Sequence, residues 1–307
     1  MFGLRYHVAS LAAVFLALAV GVLLGVAISG KVSEAEESFE RQRIDELEQD
    51  LEEANARADS AESRGEATRE LVERAYPALM AGRLEDQGFA LVFLGPVDSN
   101  IRDSVERALF DADSGFPVRV VALDVPVNGL ELQDRLQGDE LLASYAGDGG
   151  DFGELGEELG RELIEGGETP LWEALSSELV EETQGSSTPE VDGAVVVWTW
   201  SPGRDGGDGD VEAASRATET LAQGVVRGLD SSGLAVVGVA ATIQPASLTE
   251  RYRDGGISSV DNVDVDAGRL ALALLLAGAR AGHYGFKDTA TNGVIPPVDP
   301  VPPPESG

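Results

Sequence analysis

The chain has 307 residues, of which 43% are hydrophobic, so it is long enough to form a sizeable globular core. It contains no cysteine, which excludes disulfides, cysteine-based zinc sites, iron–sulfur clusters and thiol catalysis. It carries 22 Lys+Arg against 55 Asp+Glu, a formal charge of −33, which argues against nucleic acid as a partner because phosphate recognition needs a basic surface.

The first predicted element is a membrane anchor over residues 1–30. The segment from Val8 to Ile28 has no charged side chain, and about 20 apolar residues in a helix match the roughly 30 Å hydrocarbon core of a membrane. A cleaved signal peptide is the alternative, but its apolar region is normally only about 7–15 residues long. Arg5 precedes the span and an acidic stretch follows Lys31. This charge bias predicts a single-pass protein of the cell envelope with its amino terminus in the cytoplasm and its C-terminal domain extracytoplasmic.

Residues 31–77 are predicted to form a coiled-coil stalk. Residues 32–75 contain no proline and one glycine, Gly65. Apolar residues recur at heptad spacing, with Ile44, Leu51, Ala58 and Val72 at one seam position and Leu47, Ala54, Ala61 and Ala75 at the other. This pattern predicts a homo-oligomer through residues 32–75, or pairing with another helix; a single solvated helix is the alternative because the seam is rich in alanine. Tyr76 before Pro77 predicts the end of the helix, since the residue before proline disfavours the α conformation.

Residues 88–286 are predicted to form an α/β domain with a parallel sheet. Continuous apolar runs typical of buried strands lie at Phe89 to Leu94, Val118 to Leu123, Ala194 to Trp200 and Leu234 to Ala240. Helical patterns lie at residues 101–112, 130–183 with glycine breaks, 211–229 and 268–281. Strands that alternate with helices imply a parallel sheet with helices on its faces. The remaining segment, residues 287–307, is predicted to be an extended proline-rich tail, because proline cannot donate a backbone hydrogen bond.

Aspartates before the last helix form the first candidate site. Residues 260–268 read VDNVDVDAG and include Asp261, Asp264 and Asp266. One of these carboxylates is expected to cap the helix and to favour the positive end of its dipole; cation binding is the alternative. A second acidic segment, Gly203 to Asp210, is predicted to be a solvated loop, with calcium binding as its alternative.

Groups suited to nucleophilic or metal chemistry are scarce. His283 is the only histidine after the apolar segment, and Met80 is the only methionine there. Neither an ordinary transition-metal site nor a Ser/His/Asp arrangement can be completed from them. The sequence therefore predicts a protein that is not an enzyme, with a carboxylate-based enzyme or calcium-binding domain left as an alternative.

Two stretches resemble a known family. They are Leu4 to Gly25, LRYHVASLAAVFLALAVGVLLG, and Ile257 to Gly285, ISSVDNVDVDAGRLALALLLAGARAGHYG. Together with the order of anchor, coiled coil, α/β domain and terminal motif, they resemble the actinobacterial copper transporter family typified by mycobacterial copper transport protein B. The close similarity covers about a sixth of the chain.

The resemblance implies a role in copper homeostasis at the cell envelope, through efflux or a pore in the outer envelope. The motif positions that carry over without an assigned role are Asp261, Asp264, Gly268, Arg269, His283, Tyr284 and Gly285. Among them, Asp261, Asp264 and His283 are the candidate metal ligands.

The chemistry of copper limits what this chain can do with it. Cu(I) prefers cysteine and methionine, and Cu(II) prefers imidazole, so at most weak copper binding is expected and no cofactor is certain. One membrane helix cannot form a pore alone, which predicts a homo-oligomeric assembly or envelope protein partners. The alternative function is a structural envelope scaffold that binds partners through its coiled coil and α/β head.

Overall fold

In a computed structural model of the chain, residues 3–140, 142–146, 151–186, 189–201 and 209–298 are described. Within these ranges the side chains at 3–9, 27–42, 44–45 and 209–211 are outside the description. The chain divides into two compact units, Met1–Glu70 and Leu71–Gly307. The predicted loop at 203–210 lies outside the described residues, apart from the backbone at 209–210, and so does the tail beyond residue 298.

The first helix, α1, runs from Gly3 to Met80. Side chains at residues 10–26 are exposed along it. Among the helices as far as they are described, none combines enough length and apolar character to cross a membrane. The anchor over residues 1–30 is thus unconfirmed. The helical character of the stalk is confirmed, while its pairing through residues 32–75 stays a prediction.

The predicted end of the stalk helix at Pro77 is wrong, because α1 continues through Pro77 to Met80. Tyr76 and Met80 are buried in the same core cluster as Leu84. This packing outweighs the loss of one helical hydrogen bond at proline. The amide of Ala81 donates to the carbonyl of Pro77 at 3.1 Å, which completes the last turn.

The second unit is built on one mixed sheet, and the predicted α/β class is confirmed. Its strands in chain order are β1 (Phe89–Leu94), β2 (Arg119–Leu123), β3 (Val180–Gly185), β4 (Gly193–Trp198), β5 (Ala235–Val239), β6 (Ser258–Val260) and β7 (His283–Tyr284). Their order across the sheet is β3-β2-β1-β4-β5-β6-β7. Every pairing is parallel except that of β2 with β3.

Helices cover both faces of this sheet. They are α2 (Ser99–Asp111), α3 (Gly129–Gln137), α4 (Gly153–Glu165), α5 (Pro170–Leu179), α6 (Gly209–Asp230), α7 (Ser247–Asp254) and α8 (Asp266–Leu276). Alternate residues of β1 enter opposite cores: Ala90, Val92 and Leu94 lie in one, and Phe89, Leu91 and Phe93 in the other. A strand buried on both faces explains the continuous apolar run.

Several elements differ from the sequence prediction. The helical pattern over 130–183 ends in a strand, β3, whose sequence VEETQG is largely exposed at the sheet edge. The last helix ends at Leu276 rather than Ala281. Strands β6 and β7 are only three and two residues long, so they carry no periodic pattern.

Candidate functional site

The candidate site lies where β5, β6 and β7 end. Because these strands are parallel neighbours, the segments that follow them meet at one edge of the sheet. These segments are Ala240–Thr242, Asp261–Asp264 and Gly285–Lys287. The amide of Ala240 donates to Val260 at 2.8 Å, and the amide of Val263 donates to Ala240 at 3.1 Å. The carboxyl edge of a parallel sheet is also the usual position of ligand sites in open α/β folds.

Asp261 is the buried centre of this edge. Its side chain is fully buried. Its Oδ1 accepts the amide hydrogen of Phe286 at 2.8 Å, and its Oδ2 accepts that of Lys287 at 3.0 Å. A carboxylate held by two backbone amides is a fixed structural anion, because both oxygens have charge-assisted hydrogen bonds.

Gly285 makes this arrangement possible. Its φ angle is +144°, a backbone conformation that side chains rarely adopt. A β-carbon at Gly285 would lie 1.9 Å from Oδ1 of Asp261. The terminal GHYG motif therefore fits against the VDN motif only because residue 285 has no side chain.

Lys287 binds the same loops and is not among the site residues predicted from the sequence. Its Nζ donates to the carbonyl oxygens of Asp261 at 2.8 Å and Ala241 at 2.9 Å. Burial lowers its pKa, while the charges of Asp261 and Asp264 act in the opposite direction. One signal was available, because Lys287 is one of only two lysines in the chain.

Asp264 joins the loop after β6 to the loop after β5. Its Oδ1 accepts from the amide of Thr242 at 2.7 Å and from the Thr242 hydroxyl at 2.9 Å. Asp264 is exposed. Asp264 therefore holds these two loops together at the surface. Asp261, by contrast, joins the loop after β6 to the segment after β7 in the interior.

Gly268 and Asn262 pack at the start of α8. A β-carbon at Gly268 would lie 1.9 Å from the backbone oxygen of Asn262. Asn262 is fully buried, and neither polar atom of its amide has a hydrogen-bond partner among the described residues. The predicted aspartate cap of this helix is wrong: Val265 is the N-cap residue and has no side-chain cap bond. Asp266 lies in the first turn, where its negative charge interacts favourably with the positive end of the helix dipole, as expected.

Arg269 connects α8 to the end of α1. Its side chain is buried, and its guanidinium contacts the carboxylate of Asp266. Its guanidinium carbon is 5.9 Å from the ring centroid of Tyr76. The Tyr76 hydroxyl donates to Asp111 at 3.0 Å. Burial is the largest cause that raises the pKa of Tyr76, followed by the charge of Asp111.

His283 lies on the outermost strand, β7. Its Nδ1 is 3.0 Å from the hydroxyl of the buried Ser259. Its backbone is bridged by Asn292, whose Oδ1 accepts the His283 amide at 3.0 Å and whose own amide donates to the His283 carbonyl at 3.0 Å. Burial lowers the pKa of His283, and the charge of Arg253 lowers it further. Its neighbour Tyr284 is buried and donates to the carbonyl of Arg280 at 3.0 Å.

Each of the three predicted metal ligands forms hydrogen bonds with other groups of the protein. Asp261 binds backbone amides, Asp264 binds Thr242, and His283 binds Ser259. Within the described part of the chain, no group of three or more histidine, aspartate or glutamate side chains is placed to hold a metal ion. Metal binding by these residues stays a prediction. The geometry shows that Asp261, Gly285 and Lys287 hold together the segments that follow β5, β6 and β7.

Comparison with known protein families identifies a match over most of the chain. A family model described as "Copper transport outer membrane protein, MctB" matches residues 1–295, which is nearly the whole chain. A comparison with curated proteins gave no match. Both stretches that carry the sequence resemblance lie within the matched range.

Proposed function

The chain belongs to the MctB family of copper transport outer membrane proteins, and from this premise we propose that it contributes to copper efflux and homeostasis at the cell envelope. It does so as part of an assembly rather than as a lone channel. The family match over residues 1–295 is the observation that carries this proposal. Copper is the cargo of the assembly and not a stored cofactor.

Attachment to the envelope is assigned to residues 1–30. The large apolar side chains described along this part of α1 are 49–71% exposed, with Val20 the least and Leu23 the most exposed. A continuous run of exposed apolar side chains is unfavourable in water and favourable in lipid. The remainder of the chain is then extracytoplasmic, as the flanking charges predict.

The chemistry of the α/β head supports handling of copper through an assembly. The groups at the candidate site that could ligate a metal are carboxylates, backbone carbonyls and the imidazole of His283, and none of them is the thiolate or thioether that Cu(I) prefers. Asp261 and Lys287 are bonded to backbone groups. A head of this kind presents a rigid sheet edge to a partner or a second copy, and copper passes through the complete assembly.

Cell copper measured by mass spectrometry tests the proposal. The comparison uses a deletion strain complemented with wild type, His283→Ala, or the exposed control Asp288→Asn. We expect the deletion to raise cell copper and the wild type and Asp288→Asn to restore it. Failure of His283→Ala alone would assign His283 to the copper path. Unchanged copper in the deletion strain would refute the proposal.

The scaffold alternative predicts a different result in the same strains. An envelope scaffold supports barrier integrity in general, so its loss would change the content of zinc and the entry of an uncharged dye together with copper. A change confined to copper supports transport. A parallel change in all three measurements supports the scaffold.

A further inference from the structure

The outer edge of the sheet at β3 is available to a further strand. Strand β3 pairs with β2 on one side, and no described strand lies on its other side. The amide of Ser186 donates to the carbonyl of Val118 at 3.3 Å. Because the backbone groups of an antiparallel pair alternate in direction along the strand, those of Glu182 and Gln184 face β2, and those of Thr183 face away from the sheet. Such an outward row of donors and acceptors can pair with a strand of another chain.

A cleft lies beside β3 on one face of the sheet. It has a volume of about 330 Å³ and is bounded by β2, β3, α5 and the end of α4. Its apolar surface comes from Val121, Leu163 and Trp172, which belong to the core on this face. The indole Nε1 of Trp172 donates to the carbonyl of Leu159 at 2.8 Å, which holds the ring in one orientation. Pockets of about 300 Å³ and more can hold small ligands, so this cleft has room for an apolar side chain.

A second cleft lies beside β3 on the opposite face of the sheet. Its volume is about 360 Å³. Its lining includes Val120, which belongs to the core on that face, and Phe116, which is 69% exposed. The ring centroid of Phe116 is 6.2 Å from that of Phe110, which is 60% exposed. Two exposed aromatic rings side by side favour contact with a further apolar group.

The two clefts are placed for neighbouring residues of one added strand. Gln184 and Gly185 line both of them. Successive side chains of a strand point to opposite faces of a sheet, so two adjacent residues of an added strand would enter one cleft each. In β-strand addition of this kind, main-chain hydrogen bonds supply affinity, and pockets for alternate side chains supply specificity.

The charge of this edge selects the partner. Glu173 lines the first cleft, Glu181 lies on β3, and both are exposed. Arg102, at the second cleft, is paired with Glu106 at 2.8 Å and with Glu182 at 2.9 Å. An acidic edge attracts cations. It also disfavours pairing with a second copy, because the chain carries a charge of −33 and its own acidic edge would face itself.

We propose that β3 binds an extended segment of a partner protein in which apolar residues are flanked by lysine or arginine. The segment joins the sheet as a further outer strand. Its apolar side chains enter the two clefts, and its cations lie beside Glu173 and Glu181. This interface does not depend on the proposed copper function.

Calorimetric titration of the detergent-solubilised full-length chain tests the proposal, with the peptide acetyl-Lys-Thr-Val-Phe-Val-Thr-Lys-amide as the probe. The order of its residues is the same from either end, so it suits both directions of pairing. One control peptide carries N-methyl groups on the amides of the central Val-Phe-Val, which removes backbone donors and retains the side chains. Another has glutamate in place of both lysines.

Two variants of the chain alter the backbone of the edge. Thr183→Pro removes the amide that faces away from the sheet, at a position where an edge strand tolerates proline. Thr183→Val is its matched control, because it retains the amide and the branched side chain. The N-methylated peptide is measured on wild type, so its result does not depend on how well Thr183→Pro folds.

We expect the probe to bind wild type and Thr183→Val equally, and Thr183→Pro at least about tenfold more weakly. Wild type should bind each control peptide at least about tenfold more weakly than the probe, because one lacks backbone donors and the other has the wrong charge. Absence of probe binding up to about 1 mM, or equal binding of either control peptide, would overturn the proposal. A lower oligomeric state of Thr183→Pro than of wild type in sedimentation would assign the edge to a second copy and would also overturn it.

Discussion

A β-carbon on Gly285 would lie 1.9 Å from Oδ1 of Asp261, so the chain at residue 285 approaches this carboxylate more closely than any residue with a side chain could. The same carboxylate accepts the amide hydrogens of Phe286 and Lys287. The loop after β6 and the loop after β7 are therefore held together by one buried anion. Because its two partners are backbone amides, substitutions at residues 286 and 287 leave both donors in place unless proline is introduced.

The first prediction concerns this close approach. Gly285→Ala should lower the free energy of unfolding by at least about 3 kcal/mol, because it displaces a buried, doubly bonded carboxylate. Gly278 is the matched control: its φ is +85°, and a β-carbon there has no atom within 4 Å. Gly278→Ala should therefore cost only about 1–2 kcal/mol of backbone strain. Urea unfolding measures both, and equal costs would contradict the structural role of Asp261.

The second prediction concerns the lysine that spans two loops. Lys287→Met removes both hydrogen bonds from Nζ, to Ala241 and Asp261. It should lower the free energy of unfolding by about 2 kcal/mol, because bonds to charged groups contribute about 1.5–3 kcal/mol. Arg280→Met removes one cation from an exposed position and should change stability by less than about 0.5 kcal/mol. If both variants lower the free energy of unfolding equally, the loss of one positive charge, and not the loss of the two Nζ hydrogen bonds, explains the destabilisation.

Much of the sheet could be predicted from the sequence, for a clear physical reason. Strand β1 coincides with its predicted bounds, Phe89–Leu94, because burial on both faces leaves an unbroken apolar run. Strand β3 could not be predicted, since an exposed edge strand needs no apolar pattern. The predicted helix end at Pro77 was wrong because the tertiary packing of Tyr76 and Met80 keeps the helix continuous through this proline.

The candidate site could be predicted only in part. The aspartates and the GHYG motif were identified because they are unusual groups of residues beside an apolar helix. Their contact could not be predicted, because Asp261 and Gly285 are joined only when β6 and β7 pair. The bonds of Asp264 to Thr242 and of His283 to Ser259 are also tertiary, and no local spacing indicates them.

The third prediction concerns glycines where α4 packs on α6. A β-carbon at Gly156 would lie 2.2 Å from the carbonyl oxygen of Leu221, and one at Gly224 would lie 2.3 Å from that of Gly153. Alanine normally stabilises a helix by about 1 kcal/mol relative to glycine. Gly224→Ala should instead destabilise the fold by more than about 2 kcal/mol, because the two backbones must separate.

Gly65→Ala is the control for helix propensity. Gly65 lies in α1, and a β-carbon there has no atom within 4 Å. This variant should increase the resistance of α1 to thermal loss of helical circular dichroism. A stabilising effect of Gly224→Ala in urea unfolding would contradict the close packing of α4 and α6.

The fourth prediction concerns pH. Burial and the charge of Arg253 lower the pKa of His283, so the folded chain binds this proton more weakly than the unfolded chain does. The contribution of His283 to stability is full above the unfolded pKa of about 6.5. It is lost progressively as the pH falls from there to the lower folded pKa. The free energy of unfolding of wild type minus that of His283→Gln should therefore decrease from pH 8 to pH 5, and a difference that grows on acidification would contradict it.

The fifth prediction concerns pairing of the stalk. The chain has no cysteine, so a single introduced cysteine reports directly on contact between two copies. Leu51 lies on the predicted heptad seam and is 61% exposed in the single chain, whereas Gln49 lies on the opposite side of the helix at the heptad position farthest from the seam. In membranes from cells, mild oxidation should form a covalent dimer through Leu51→Cys and not through Gln49→Cys. Equal amounts of dimer from both variants would indicate random collision. A paired seam brings equivalent residues close enough for a disulfide. Absence of dimer from both variants would therefore favour a solvated single helix.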